Sequence, residues 1–164
     1  MSEFDPLGAL GALSAAGVRF VVVGALAARL AGAPVVTADL DVCPAEEPEN
    51  LARLAGVLVE MEAEVRGAPG VRVPGDGRPL ATSQVWNLST RHGDLDLILR
   101  PAGTDGFAEL AATAVRVDLG GLQVLVASLC DVVRSKRAAG RPRDLGQLPL
   151  LEETLREQKE RGEG

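Results

Sequence analysis

The feature that most constrains this chain is a pair of acids inside an apolar run typical of a strand. Residues 35–44 read VVTADLDVCP, with Asp39 and Asp41 two positions apart. Side chains at this spacing in a strand project from one face, so Leu40 and Val42 project from the other. An ionised carboxylate in a buried strand is costly unless it is paired, hydrogen-bonded or bound to a metal. The run therefore predicts either an edge strand facing water or a site that uses two carboxylates.

A second pair of acids, Asp94 and Asp96, has the same spacing in the apolar run GDLDLIL at residues 93–99. If the two strands are neighbours, as many as four carboxylates converge at one end of a sheet. Oxygen ligands of this kind suit Mg²⁺, which typically binds one or two carboxylates together with substrate phosphates. Two such pairs favour a metal site over acids that only face water.

The rest of the chain alternates between helical and strand patterns. Strands are predicted at 18–23, 35–42, 83–90 and 94–99, with a further hairpin at 114–128, and helices at 7–16, 25–32, 48–65, 105–114 and 129–139. Residues 66–80 contain four Gly and three Pro, which predicts a loop or an irregular β excursion. Because no linker separates two cores, we expect one α/β (α+β) domain over residues 1–152, with a mixed sheet flanked by helices, and a charged helical tail over 153–164.

Composition excludes several classes of function. The 164 residues carry a net charge of −6, which argues against extended DNA binding because that binding is driven by Lys and Arg neutralising phosphates. The N-terminal residues lack the pattern of a signal peptide, and no apolar run reaches the 18 or so residues of a membrane span. We therefore expect a cytoplasmic protein without a membrane partner.

A basic stretch stands out against this acidic background. Five cations lie within ten residues: Arg134, Lys136, Arg137, Arg141 and Arg143. Such a cluster can neutralise a triphosphate or an RNA acceptor, and solvated charge on a helix surface is the ordinary alternative. The adjacent Asp144 is expected either to pair with Arg141 or to cap the last helix.

The order of these features resembles the nucleotidyltransferase fold of the DNA polymerase beta superfamily. The family motif is a hydrophobic residue, Gly, then Gly or Ser, a spacer, Asp-hydrophobic-Asp or Glu, and later a third acid between hydrophobic residues. Here the motif begins at 23–25 with Val-Gly-Ala, and thirteen residues separate it from the Asp-Leu-Asp at 39–41. Asp96 matches the third acid best, and Asp94 is the alternative.

The C-terminal half resembles a narrower group. The stretch SKRAAGRPRDLGQLPLLE at residues 135–152 is similar to small bacterial stand-alone nucleotidyltransferases related to the abortive-infection AbiEii toxins. The resemblance covers residues 17–152, which is most of the chain.

The resemblance implies transfer of an NMP, AMP first, from a nucleoside triphosphate to a hydroxyl group. It implies that Mg²⁺ or Mn²⁺ is held by Asp39, Asp41 and Asp96, the last also activating the acceptor hydroxyl. The implied nucleotide contacts are Gly24, Ala25, Thr37 and Lys136, with backbone N–H groups near Gly24 meeting the phosphates. Thr37 is equally expected to cap the strand.

The acceptor and the partners stay open at this level. The acceptor is a hydroxyl of a protein, a tRNA or other RNA, or a small molecule such as an antibiotic. The alternative is a toxin–antitoxin or phage-defence component that acts by binding a partner, with weak or no catalysis. Ala25 replaces the usual Gly or Ser and loses both a hydroxyl and the freedom of φ > 0, which predicts weaker nucleotide binding or a changed substrate.

Overall fold

In the computed structural model the chain folds into a seven-stranded mixed sheet with helices packed against it. The predicted fold class is thereby confirmed. The structure describes residues 2–162. Residue 1 and the last two residues of the predicted tail, 163 and 164, lie outside the described residues.

The elements alternate along the chain as the sequence patterns predict. The helices are α1 (Pro6–Ala15), α2 (Gly24–Leu30), α3 (Pro48–Glu60), α4 (Phe107–Thr113), α5 (Leu129–Ala139) and α6 (Pro142–Glu160). The strands are β1 (Phe20–Val23), β2 (Asp39–Pro44), β3 (Glu64–Val65), β4 (Val85–Thr90), β5 (Gly93–Ile98), β6 (Val115–Asp118) and β7 (Gln123–Val126), and a 3₁₀ helix spans Arg78–Thr82. None of the described helices combines the length and the apolar character needed to cross a bilayer.

The strand order, β3-β4-β5-β2-β1-β7-β6, places the two acidic strands side by side. β2 runs antiparallel to β1 and parallel to β5. In this register Asp39 lies opposite Asp94, and Asp41 lies between Val23 and Asp96 on the two neighbouring strands. Because side chains in register share a face, all four acids project from one side of the sheet.

The opposite face of the same two strands belongs to the hydrophobic core. Leu40, Val42, Leu95 and Leu97 are fully buried there. Burying each such side chain stabilises the fold by about 1.5–3 kcal/mol. This apolar face explains how β2 and β5 remain central strands although each carries two carboxylates.

Several element boundaries differ from the sequence prediction, and two of these differences affect the strands around the acids. The second strand begins at Asp39 rather than at residue 35, since the Thr37 hydroxyl donates a hydrogen bond to the Asp39 carbonyl, 2.9 Å away, and forms a local turn. The helix predicted over 48–65 ends at Glu60, because Glu62 adopts a left-handed conformation with φ of 56°. The chain then enters β3, which the sequence pattern missed.

The junction between α5 and α6 follows from its local sequence. Gly140 ends α5 in a left-handed conformation with φ of 65°, and Pro142 occupies the first turn of α6, where its missing N–H costs nothing. This tight turn folds the two helices against each other, so that Lys136 of α5 faces Asp144 of α6.

Candidate active site

Three of the four acids form a cluster that could hold a metal ion. Carboxylate oxygens of Asp39, Asp41 and Asp96 lie within 4.8 Å of one another. β2 supplies the first two and β5 the third, through the register described above. Asp94 lies on the same face of the sheet but outside this group. On sequence alone, Asp94 is the alternative to Asp96 for the third acid of the motif.

The side chain of Thr37 contacts Asp39, the first acid of the cluster. Its hydroxyl lies 3.1 Å from Asp39 Oδ1, in addition to its hydrogen bond to the Asp39 carbonyl. The Thr37 hydroxyl therefore restrains the Asp39 carboxylate while still lining the cavity beside it. Both roles expected of Thr37, contact with the site and support of the strand end, are compatible with this position.

Asp41 is the acid whose charge is least compensated. Burial, followed by the negative charges of Asp96 and Asp39, raises the pKa of Asp41 from 3.8 to about 8, and Lys136 only partly opposes this. Burial also raises the pKa of Asp96, although the charge and hydrogen bond of Arg66 act in the opposite direction. No cation of the described residues forms an ion pair with Asp39 or Asp41, so the cluster lacks part of its counter-charge.

Gly24 is required by close packing at this point. The residue has φ of 68°, and a Cβ atom added to it would lie 2.1 Å from Asp41 Oδ2. Any side chain at this position would displace the carboxylate. Ala25, the next residue, lies in the first turn of α2 and lines the cavity.

Arg66 is the site residue that sequence analysis missed. Its guanidinium forms an ion pair of 2.8 Å with Asp96 Oδ1, and its Nε lies 3.3 Å from Asp94 Oδ2. The residue follows β3 directly and begins the segment predicted as a loop. The sequence around Arg66 does not distinguish it from Arg72 or Arg78 in the same segment. Its partners, Asp94 and Asp96, are remote in sequence.

The acid cluster lines one side of a cavity of about 580 Å³. This volume lies in the range of small-molecule sites. The apolar part of the wall includes Val36, Val85 and Ile98. Asn87, whose register position is opposite Asp96, adds an amide to the lining.

A cationic pair, Lys136 and Arg141, lies on another part of the cavity wall. The Asp144 carboxylate accepts a hydrogen bond from each of them, at 3.4 Å from Lys136 Nζ and 2.6 Å from Arg141 Nε. The Asp144 side chain is only 1% exposed. Burial alone would raise the pKa of Asp144, but the hydrogen bond from Arg141 and the charge of Lys136 outweigh it and lower the pKa. Asp144 therefore remains ionised and fixes both cations.

The five cations that are clustered in the sequence lie on two different surfaces of the folded protein. Lys136, Arg141 and Arg143 line the cavity, whereas Arg134 and Arg137 line a separate surface groove. Those two form ion pairs with acids of α4, α5 and α6: Glu109, Asp131 and Glu152. Only part of the cluster is thus available to a ligand of the cavity.

The residues present fit a hard divalent cation. Three converging carboxylates match the oxygen ligands of Mg²⁺ and Mn²⁺, and the raised pKa of Asp41 marks an excess of negative charge that a cation would relieve. The cationic pair adds positive charge suited to a phosphate-bearing ligand. A cavity with both features can bind an anion and a metal ion together.

Comparisons with known proteins bear on the fold. No protein-family model and no curated protein matches the sequence. Among solved structures, the antibiotic-resistance factor ANT(2'')-Ia is similar with a TM-score of 0.53 and 15% identity, over 89% of this chain and 80% of that chain. A protein of Thermotoga maritima described as a nucleotidyltransferase (TM1012) has a TM-score of 0.49 and 18% identity, over 97% of each chain.

The likeness to ANT(2'')-Ia shows that the two chains share a fold. At 15% identity it shows the fold and nothing finer, since one fold supports several functions. The relation to AbiEii toxins remains a prediction from the sequence.

Proposed function

We propose that this protein is a metal-dependent nucleotidyltransferase that transfers an NMP, AMP in the first instance, from a nucleoside triphosphate to a hydroxyl group. The observation that carries the proposal is the convergence of Asp39, Asp41 and Asp96 in one cavity with a fixed cationic pair. The nucleotidyltransferase fold supports the same conclusion.

The three acids would hold Mg²⁺ or Mn²⁺. When bound, the metal neutralises phosphate charge and polarises the α-phosphoryl group. Asp41 would hold the cation only in its deprotonated form, because a metal ligand must be deprotonated. The close approach of Gly24 keeps Asp41 in place for this role.

Asp96 accepts the proton of the acceptor hydroxyl in this proposal. Its raised pKa makes it a better base than an exposed carboxylate, since general bases work best when their pKa approaches the working pH. The hydroxyl oxygen then attacks the α-phosphorus in line. The bond from that phosphorus to the bridging oxygen breaks, and pyrophosphate leaves.

The cationic pair binds the triphosphate, whose negative charge it complements at short range. Asp144 orients both cations and keeps them in the cavity wall. Gly24, Ala25 and Thr37 border the nucleotide from the side of the acids. The side chain of Ala25 adds no hydroxyl donor to a phosphate, which weakens nucleotide binding relative to a Ser at that position.

The acceptor separates three versions of the proposal. A tRNA or protein acceptor corresponds to the AbiEii-like relation, in which the protein is one component of a toxin–antitoxin or phage-defence pair. A small-molecule acceptor corresponds to an antibiotic-modifying enzyme, and the structurally similar ANT(2'')-Ia is described as an antibiotic-resistance factor. Ala25 is the observation that favours a second candidate function, partner binding with weak or no catalysis.

The experiment uses α-³²P-labelled nucleoside triphosphates with Mg²⁺ or Mn²⁺ and three acceptor sets: tRNA, cell protein and aminoglycosides. We expect label transfer by the wild type and a loss of at least about 100-fold in Asp39→Ala, in line with the removal of one charge-stabilising group. Asp105→Asn, which changes an exposed acid outside the cavity, is the matched control and should transfer like the wild type.

Absence of transfer with every nucleotide and acceptor, together with equal nucleotide affinity of the wild type and Asp39→Ala, would refute the catalytic proposal. The partner-binding alternative would then stand, and it would be pursued by capture of a defined antitoxin candidate from the neighbouring gene.

A further inference from the structure

Arg66 is attached to the sheet by both its backbone and its side chain. Its backbone N–H donates to the carbonyl of Asn87, 2.9 Å away, at the end of β3. Its Nη2 donates to the carbonyl of Leu88 at 2.9 Å and to Asp96 Oδ1 at 2.8 Å. The guanidinium is therefore fixed against β4 while it engages the acid of β5.

Asp94 supplies the counter-charge on the other side of the guanidinium. Its Oδ2 lies 3.3 Å from Arg66 Nε, which is buried and forms no hydrogen bond, so this contact is one of charge. Asp94 is itself held by the Ser89 hydroxyl, 3.3 Å from Oδ1. The four residues form a continuous chain from Ser89 through Asp94 and Arg66 to Asp96.

We propose that Arg66 is a positioning residue for Asp96. By fixing one oxygen of the carboxylate it fixes the plane of the group, and so directs the other oxygen into the cavity toward the metal and the acceptor hydroxyl. This inference rests on the proposed function, because it assigns Arg66 to the reaction of that site. Asp94 balances the charge of Arg66 and does not join the ligand group.

The geometry distinguishes this role from an ordinary surface ion pair. Exposed pairs contribute little because solvent screens them. The Asp96 side chain is only 13% exposed, and a charge-assisted hydrogen bond in such surroundings is stronger and more directional than a neutral one. Nη2 contacts Leu88 and Asp96 while Nε of the same rigid plane faces Asp94, and the single ammonium nitrogen of Lys cannot reproduce this spacing between two donor atoms.

The test compares Arg66→Gln and Arg66→Lys with the matched control Arg72→Gln. Arg72 lies in the same segment and pairs with Glu64, and its side chain is 61% exposed. Two readouts are needed. The first is the Mn²⁺ dissociation constant, measured by electron paramagnetic resonance without nucleotide, and the second is kcat and KM for label transfer.

We expect Arg66→Gln to bind Mn²⁺ about three- to ten-fold more tightly, because a positive charge beside the ligand group is removed. Its kcat should fall about 10- to 100-fold, since a small misplacement of a reacting group costs that much. KM for the nucleotide should change less than about three-fold. Arg66→Lys keeps the charge but loses the fixed geometry, so it should bind Mn²⁺ about three-fold more weakly than the wild type and regain only part of kcat, and Arg72→Gln should match the wild type in both.

A wild-type kcat in Arg66→Gln would overturn the inference. So would Mn²⁺ binding weakened more than about ten-fold together with a lower melting temperature, because Arg66 would then only maintain the fold. If the wild type itself transfers no nucleotide, the proposed function fails, and the Mn²⁺ series alone decides the inference. Weaker Mn²⁺ binding in Arg66→Lys, which keeps the charge, than in the wild type and Arg72→Gln supports it, and equal affinity in Arg66→Lys and the wild type overturns it.

Discussion

Replacing Asp41 by Asn should stabilise the metal-free protein at alkaline pH. Asp41 is buried next to Asp39 and Asp96, and its pKa is raised from 3.8 to about 8. An amide of nearly the same shape carries no charge and can donate a hydrogen bond to a neighbouring carboxylate. The substitution therefore removes repulsion while it also removes a proposed metal ligand.

The sign follows from proton linkage. Between pH 3.8 and about 8 the folded protein binds a proton at Asp41 that the unfolded chain has lost, so the free energy of unfolding falls as pH rises. The full difference between the two pKa values corresponds to roughly 6 kcal/mol as an upper limit. We expect about half of that, because the cavity is open to water that screens the charges. Asp41→Asn should lack this slope and be about 2–3 kcal/mol more stable at pH 8.5.

The assay is urea unfolding at pH 6 and pH 8.5 in EDTA. Asp105→Asn is the control, since it removes an exposed acid and should keep the slope of the wild type. Saturating Mn²⁺ should stabilise the wild type at pH 8.5 by mass action and leave Asp41→Asn nearly unchanged. Equal pH slopes in Asp41→Asn and the wild type, or a variant less stable at pH 8.5, would refute the reasoning.

Two further predictions concern packing around the cavity. Gly24→Ala should weaken Mn²⁺ binding at least about ten-fold, because its methyl group would displace the Asp41 carboxylate and the backbone disfavours a side chain. Gly56→Ala is the control, because Gly56 is exposed in α3 and has free space for a methyl group, and it should leave Mn²⁺ binding unchanged. Similar Mn²⁺ affinities in Gly24→Ala and Gly56→Ala would contradict the steric argument. Asp144→Asn should weaken binding of a fluorescent nucleotide about ten-fold, roughly 1.4 kcal/mol, because the carboxylate that holds Lys136 and Arg141 in place loses its charge. Unchanged nucleotide affinity would show that Asp144 serves only the fold, and Asp105→Asn again provides the control.

The fold class and the positions of the acids could be predicted because both depend on local patterns. A β-branched run predicts β1, and carboxylates stand out where they interrupt apolar strands such as β2 and β5. The pairing of those two strands needed only the assumption that they are neighbours. Their register then follows from the same alternation, since a shift by one residue would bury the acids and expose the leucines.

Arg66 could not be predicted for the opposite reason. It is 30 residues from Asp96 in sequence, and its role depends on a two-residue strand that carries almost no pattern of its own. The apolar residues that precede Arg66 keep helical spacing through Met61, so the sequence pattern predicts a longer α3 than the structure has. A left-handed Glu62 ends the helix there, and Glu is a residue for which local preferences do not predict that conformation.

The two charged walls of the cavity differ in how their charge is balanced, and this difference predicts how the site is assembled. The cationic pair carries its own anion, Asp144, and is fixed before any ligand arrives. Among the described residues, Arg66 is the cation that forms an ion pair with the acid cluster, and its guanidinium pairs with Asp96 but not with Asp39 or Asp41. A triphosphate approaching the cavity without a metal ion would therefore be repelled by Asp39 and, above the pKa of about 8 at which Asp41 loses its proton, by Asp41 as well. Since a divalent cation removes that repulsion, the stabilisation of the wild type by Mn²⁺ at pH 8.5 reports the same imbalance that would make nucleotide binding depend on the metal.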